Sequence, residues 1–173
     1  VPLLATAKNA LMICELAGKP ATKVFAGCDQ PLGRPLVTAE HVHGKTGLDG
    51  PTLPDPCMAL QDQHAVNFII ETLRAHSAGS ITLCALGPLT NIATAFQKAP
   101  DIIEKINKLV LMGGAYFEVG NITPAAEFNI FVDPEAADIV FKSGIDLVVA
   151  PLDVTHKALT SKAWITELRA KNN

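Results

Sequence analysis

Apolar side chains recur along the chain in two kinds of pattern, one with helical spacing and one in short unbroken runs, and their alternation predicts the architecture. Over residues 4–17, Leu4, Leu11, Ile13, Leu16 and Ala17 stand among good helix formers and Gly18-Lys19-Pro20 supplies a stop, so a helix is predicted. Val24-Phe25-Ala26-Gly27 reads as a short buried strand. From Gln30 to Pro56 the period is lost among Pro31, Gly33, Pro35, Gly44, Gly47, Gly50, Pro51, Pro54 and Pro56, which predicts a long loop. Loops of that length in compact domains are functional or disordered, and His41 and His43 favour function here.

Residues 62–77 place Ala65, Val66, Phe68, Ile69, Ile70 and Leu73 at amphipathic helical spacing. Ile81–Leu86 follows as a continuous apolar run, the pattern of a strand buried on both faces of a parallel sheet. Gly87-Pro88-Leu89-Thr90-Asn91 then turns into a helix reaching Lys98, residues 101–107 make a short helix, and Leu109–Met112 is another buried strand. Gly113-Gly114 breaks the chain where the backbone can approach something closely. Asp133-Pro134-Glu135 opens a helix to about Lys142, with Asp as N-cap and Pro in the first turn, and Leu147–Ala150 is the last clear strand. Strand and helix thus alternate after the first helix, predicting an α/β fold: one domain over 1–173 with an open, mostly parallel, Rossmann-like sheet flanked by helices.

Composition narrows the function classes. With 173 residues and 49% apolar side chains the chain can bury a substantial core. Fourteen Lys and Arg against 17 Asp and Glu give a net charge of −3, which offers no footprint for nucleic acid or an anionic membrane. Apolar stretches such as Ile145–Leu152 are interrupted by Asp146 and fall well short of the roughly 20 residues that cross a bilayer. The N-terminal segment lacks a basic region, an uninterrupted apolar region and a small-residue cleavage site, so no signal peptide is expected. Cys14, Cys28, Cys57 and Cys84 form no CxxC pair, and the apolar settings of Cys14 and Cys84 predict buried, reduced thiols in a cytosolic protein. The chain begins with Val1 rather than Met, which suggests truncation or processing.

In open α/β sheets ligands bind beyond the carboxyl ends of the strands. The residues there are Leu86 to Asn91, Met112-Gly113-Gly114, Asn121 to Asn129 and Leu152 to His156. Taken singly, Gly87-Pro88 is a turn, Asn91 a capping side chain, Met112 core, and Glu127 and Asn129 polar faces of a turn. In combination, Met112-Gly113-Gly114, Gly120-Asn121-Ile122-Thr123-Pro124-Ala125-Ala126-Glu127-Phe128-Asn129 and Asp133-Pro134-Glu135-Ala136-Ala137 resemble the central signature of the inosine-uridine type nucleoside hydrolases. Leu86 to Asn91 resembles that family's calcium-carbonyl turn, and His43-Gly44 through Gly47-Leu48-Asp49-Gly50 its His-Gly loop. The resemblance covers nearly the whole chain in the family's order and spacing.

The resemblance implies the nucleoside hydrolase fold and hydrolysis of the N-glycosidic bond of ribonucleosides, through an oxocarbenium-like transition state, with a Ca²⁺ ion that binds the attacking water and ribose hydroxyls. By the same resemblance Asn121, Glu127 and Asn129 hydrogen-bond the ribose, Met112 and Phe128 lie against the substrate, the Leu86 carbonyl is a calcium ligand, and His43 is the catalytic candidate on the base side of the pocket. It also implies a cytoplasmic salvage enzyme that is a homo-oligomer, dimeric or tetrameric. No motif position falls on His41, and His156 is expected to be structural. Purine-versus-pyrimidine preference stays open.

The family's N-terminal Asp-rich turn, a ribose-contacting Asn after its second strand and its C-terminal His-Asp pair have no counterpart in the sequence. The expectation is a truncated fold, exposed strand edges that invite association, weak or absent calcium binding, and activity that belongs to a longer parent. A degenerate, non-catalytic hydrolase-like domain that binds nucleosides or a partner protein is the alternative. The two differ in whether an Asp-x-Asp-x-Gly-x-Asp-Asp-like turn is encoded upstream of Val1. An unrelated doubly wound nucleotide enzyme is disfavoured because no GxxxxGK[ST] is present and no GxGxxG follows a strand.

Overall fold

A computed structural model describes residues 1–171. The elements are α1 (Leu3–Leu16), α2 (Glu40–His43), α3 (Ala65–Ala75), β1 (Ile81–Ala85), α4 (Thr90–Lys98), a 3-10 helix (Pro100–Lys105), β2 (Ile106–Met112), α5 (Phe128–Val132), α6 (Pro134–Lys142), β3 (Leu147–Ala150), α7 (Leu152–Thr155) and α8 (Lys162–Ala170).

The three strands form a parallel sheet in the order β1-β2-β3, with Leu83 opposite Leu109 and Met112 opposite Ala150. Both connections therefore step the same way across the sheet. Right-handed crossovers then place α4 and α6 on one face, and α4 packs against both α6 and α3. Val66 and Leu73 of α3, Ala93 and Phe96 of α4 and Val140 of α6 close over Leu109 and Leu111 of β2, all nearly or fully buried.

The opposite face has no such cover among the described residues. Cys84 is exposed, its partner across the ladder Val110 is half-buried, and Val148 beyond it is 41% exposed. The expectation that Ile81–Leu86 is buried on both faces is thus corrected: β1 alternates between half-buried and exposed positions. A continuous apolar run carries no period and cannot report that one layer of helices is absent.

Further corrections concern one predicted strand, the type and ends of helices, and the thiols. Val24–Gly27 is not a strand of the sheet; it makes one parallel bridge, Phe25 to Gln61, with Gln61 N–H donating to the Val24 carbonyl at 2.9 Å. Its partner is the extended stretch that enters α3, and Phe25 stacks on Phe68 of that helix at 3.9 Å. The predicted helix over 101–107 is a 3-10 helix ending at Lys105, because Ile106 already pairs with Ile81 in the sheet. The four cysteines are free but none is buried: Cys57 and Cys84 are exposed and Cys14 and Cys28 half-buried. The first helix, predicted over 4–17, is observed at 3–16, and that of 62–77 shortens to 65–75, with the His64 ring accepting from Val66 N–H at 3.2 Å as its N-cap. Among the described residues no helix is long and apolar enough to cross a membrane.

Candidate active site

β1 and β2 end side by side, at Ala85 and Met112, so the carbonyls that follow them need partners from outside the sheet. The five-residue helix α5 supplies one. Its Asn129 side chain donates to the Met112 carbonyl at 3.0 Å and lies 3.4 Å from the Leu86 carbonyl. With Nδ2 turned to the strand ends, Oδ1 is left as an acceptor.

Glu127 caps the same helix and is only 2% exposed. Its Oε2 accepts from the N–H groups of Asn129 at 2.9 Å, Gly114 at 3.0 Å and Ile130 at 3.3 Å. A buried carboxylate is tolerable when donors surround it, and the N-terminus of a helix supplies them. Oε1 makes no hydrogen bond among the described residues, and no buried side-chain oxygen is left without a partner, so Oε1 retains exposed surface. The Gly113-Gly114 break has its explanation here. A Cβ on Gly113 would stand 3.2 Å from Ile130 Cδ1 and 3.4 Å from Glu127 Oε2, and Gly114 takes a φ of +81° as the chain bends to present its N–H.

Asn121 enters from the preceding loop, where its Oδ1 accepts from Phe128 N–H at 2.8 Å. The N–H groups of Asn121 and Ile122 both donate to the Ala126 carbonyl, at 3.1 and 3.2 Å, and Thr123 Oγ1 accepts from Ala126 N–H at 2.9 Å. A Cβ on Gly120 would overlap the Thr123 and Ala126 carbonyls, so this turn requires glycine. The opposite wall comes from the long loop through α2. Asp49 closes that loop on itself, accepting from the Thr46 hydroxyl at 2.5 Å and from the N–H groups of Thr46 and Lys45 at 3.1 and 3.2 Å. The Thr46 hydroxyl bond, with those backbone donors, holds the Asp49 carboxyl below its ordinary pKa.

These elements enclose a cavity of about 390 Å³ lined by His43, Leu86, Met112, Asn121, Glu127, Phe128 and Asn129, together with Ala39, His41, Val42 and Ile122. All seven residues singled out in the sequence meet there. His41 does too, although no role was expected of it: the single turn α2 carries residues 41–43 into one wall, which the loop's composition did not foretell. His156 lies outside, exposed, with Nδ1 3.4 Å from Glu118 Oε2. Asn91 is not a helix cap, since α4 is preceded by Leu89 without a side-chain cap; Asn91 Oδ1 accepts from Cys28 N–H at 2.8 Å and anchors the segment after Gly27.

Two acids outside the cavity escaped sequence reasoning as organisers. The fully buried Asp133 accepts from Ala136 N–H as a cap, at 3.0 Å, and also from Thr90 Oγ1 at 2.6 Å and Leu32 N–H at 3.0 Å. With the Arg34–Glu135 ion pair it moors the start of the long loop to α6. Asp153, in α7, grips the loop that leaves β2. The cap at Asp133 was legible from Asp-Pro-Glu; the long-range bonds were not.

The donor set is incomplete for a bound metal. Among the described residues no group of three or more His, Cys, Asp and Glu side chains is placed to hold an ion. The Leu86 carbonyl is one oxygen, where calcium takes about six to eight.

The sequence model of the family "Inosine-uridine preferring nucleoside hydrolase" matches residues 1–173. The chain is 51% identical over its whole length to an uncharacterised protein of Schizosaccharomyces pombe, of which it covers 56%. It is 48% identical over 168 residues to the pyrimidine-specific ribonucleoside hydrolase RihA of Salmonella schwarzengrund, covering 97% of the chain and 53% of that protein. Among solved structures, the purine-preferring ribonucleoside hydrolase from Gardnerella vaginalis superposes with a TM-score of 0.94 at 35% identity, over 99% of this chain and 55% of that one. The plant nucleoside hydrolase PpNRh1 gives 0.82 at 38% identity, over 90% of this chain and 49% of that one. The chain therefore spans about half the length of the relatives it matches, and over that span it belongs to the inosine-uridine preferring nucleoside hydrolase family.

Proposed function

We propose that the full-length protein hydrolyses ribonucleosides to ribose and free base, and that the chain described here supplies the ribose-binding wall of its active site. One observation carries this reading: the residues that the family resemblance assigned to substrate line a single cavity at the carboxyl ends of β1 and β2. Asn121, with Oδ1 engaged by Phe128 N–H, offers its Nδ2 donors to the sugar. Glu127 offers Oε1 and Asn129 offers Oδ1 to ribose hydroxyls. Met112 and Phe128 give apolar contact, and His43 stands on the base side.

Breaking the C–N bond builds positive charge on the sugar. Glu127, fixed in place by three N–H donors to Oε2, strengthens its hydrogen bond to a hydroxyl as that charge develops, which is stabilisation realised in the transition state. Among the described residues Glu127 is the one carboxylate lining the cavity, so the general base that activates water is assigned to residues beyond 1–173. A calcium ion would take the Leu86 carbonyl as one ligand, its other oxygens again coming from outside this segment. The described residues thus supply the ribose grip, with His43 as the candidate that faces the base.

The test is release of free base from inosine, uridine, cytidine and adenosine by the full-length protein, with and without a chelator. Activity on none of them would overturn the reading. Glu127→Gln is the sharper variant, because Gln keeps one acceptor for the α5 N–H groups while losing the charge. Glu127→Gln and Asn129→Ala are each expected to cost on the order of 2 kcal/mol in kcat/KM; unchanged rates in both would sink the ribose assignment.

A further inference from the structure

The loop that joins β2 to Asn121 presents a problem of order. Tyr116, Phe117, Glu118 and Val119 are all exposed, Tyr116 at 80% and Phe117 at 90%, so no burial holds them. Ordering each residue costs backbone conformational entropy, and something must offset that cost. The three consecutive N–H groups of Tyr116, Phe117 and Glu118 all donate to the carboxylate of Asp153, at 2.8, 2.8 and 3.2 Å. The preceding residue of α7, Leu152, donates its N–H to the Gly114 carbonyl at 2.9 Å, while Gly114 N–H in turn donates to Glu127. Two adjacent residues after β3 thus grip both the start and the middle of the loop. Beyond the grip, Gly120 and Asn121 begin the closed turn whose far end is Glu127 and Asn129.

We infer that Asp153 is a positioning residue for ribose recognition, setting the place of Asn121 and Gly114 through the loop it clamps. The inference rests on the ribose-binding reading of the cavity. Asp153 is not among the residues lining that cavity and acts on substrate only through the backbone it holds. A carboxylate suits the task because its two oxygens offer about four lone-pair sites and bonds to an ionised acceptor are the stronger kind. The exposed pair His156–Glu118, at 3.4 Å, is too long and too open to substitute for it.

The experiment compares the full-length wild type with Asp153→Ala, Asp153→Asn and Glu118→Gln. Hydrogen exchange of the Tyr116, Phe117 and Glu118 amides and steady-state kinetics on whichever ribonucleoside the wild type cleaves are measured together. Asp153→Ala is expected to abolish protection of those three amides and to lower kcat/KM on the order of tenfold, chiefly by raising KM. Asp153→Asn, which keeps one carbonyl acceptor, should fall between it and the wild type, and Glu118→Gln should match the wild type. Should the alanine variant fail to fold, the asparagine variant carries the same comparison. Lost protection with unchanged kcat/KM would overturn the inference, as would retained protection. Absence of any hydrolysis by the wild type would instead overturn the functional reading, and the inference with it.

Discussion

The helix-covered face of the sheet and the segment from Gly114 to Asn129 lie at the same strand ends but are held by different forces. Under α3, α4 and α6, Leu73, Ile102, Leu109, Leu111 and Val140 are fully or almost fully buried, and side-chain hydrogen bonds contribute little there. The site segment has almost no apolar burial of its own; Glu127 and Asp153 between them collect five backbone N–H groups from it and a sixth from Ile130 just beyond it. Burial is non-directional and tolerates repacking, whereas a hydrogen bond fixes distance and angle. The surface proposed to hold sugar hydroxyls is accordingly organised by carboxylates, and the apolar layer serves as its foundation.

Removing a buried leucine is expected to break the first region with the larger effect. Leu109→Ala should cost about 3 kcal/mol of unfolding free energy, read from urea denaturation. Global stability, not site geometry, is what that change tests. Glu127→Gln reverses the pattern: the kinetic loss of on the order of 2 kcal/mol should come with a smaller change in unfolding free energy, since two or more cap bonds survive.

Acid sharpens the comparison, because the clamp on the site segment is a carboxylate whereas the buried leucines do not titrate. Backbone donors, first among them Tyr116 N–H, hold the Asp153 carboxyl below its ordinary pKa, and Asp49 is lowered mainly by the Thr46 hydroxyl. A folded-state pKa below the unfolded value means that the unfolded chain binds the extra protons. The stabilisation is then complete above the ordinary Asp value of about 3.9 and is lost as pH falls through the lower folded value. Asp153→Asn should remove its share, so the stability gap between it and the wild type should narrow once the pH drops below the ordinary carboxylate range. A gap independent of pH would contradict the clamp.

The smallest effect is expected on the uncovered face. Val148→Thr should change the stability of the 1–173 chain by less than about 0.5 kcal/mol, since Val148 is 41% exposed. A clearly larger cost in a longer form of the protein would show that additional chain packs on this face.

Much of the fold was legible because periodicity and punctuation coincide with it. The helices at Leu3–Leu16, Ala65–Ala75 and Pro134–Lys142 and the strands at Ile81–Ala85 and Leu147–Ala150 fall within a few residues of their predicted limits. Helices α2, α5, α7 and α8 went unpredicted. Three are of four or five residues, too short to show a period, and α8 buries none of its side chains. Val24–Gly27 failed because an apolar run states that a segment is covered, not that a strand lies beside it. The residues of the candidate site were legible one by one from the motif, whereas Asp133 and Asp153 were not, since their partners lie 101 and up to 37 positions away.

By itself the sequence determined the order of the three sheet strands and the longer helices between them, the Asp133 cap with Pro134 in the first turn, and the residue types gathered near the strand ends, because those follow from local spacing and local hydrogen bonding. Only the tertiary structure decided which face of the sheet is covered, that His41 shares a wall with His43, and that Glu127 points one oxygen into backbone and leaves the other to the cavity. Those outcomes depend on contacts between positions far apart in the chain, whose distances and angles no one-dimensional pattern encodes.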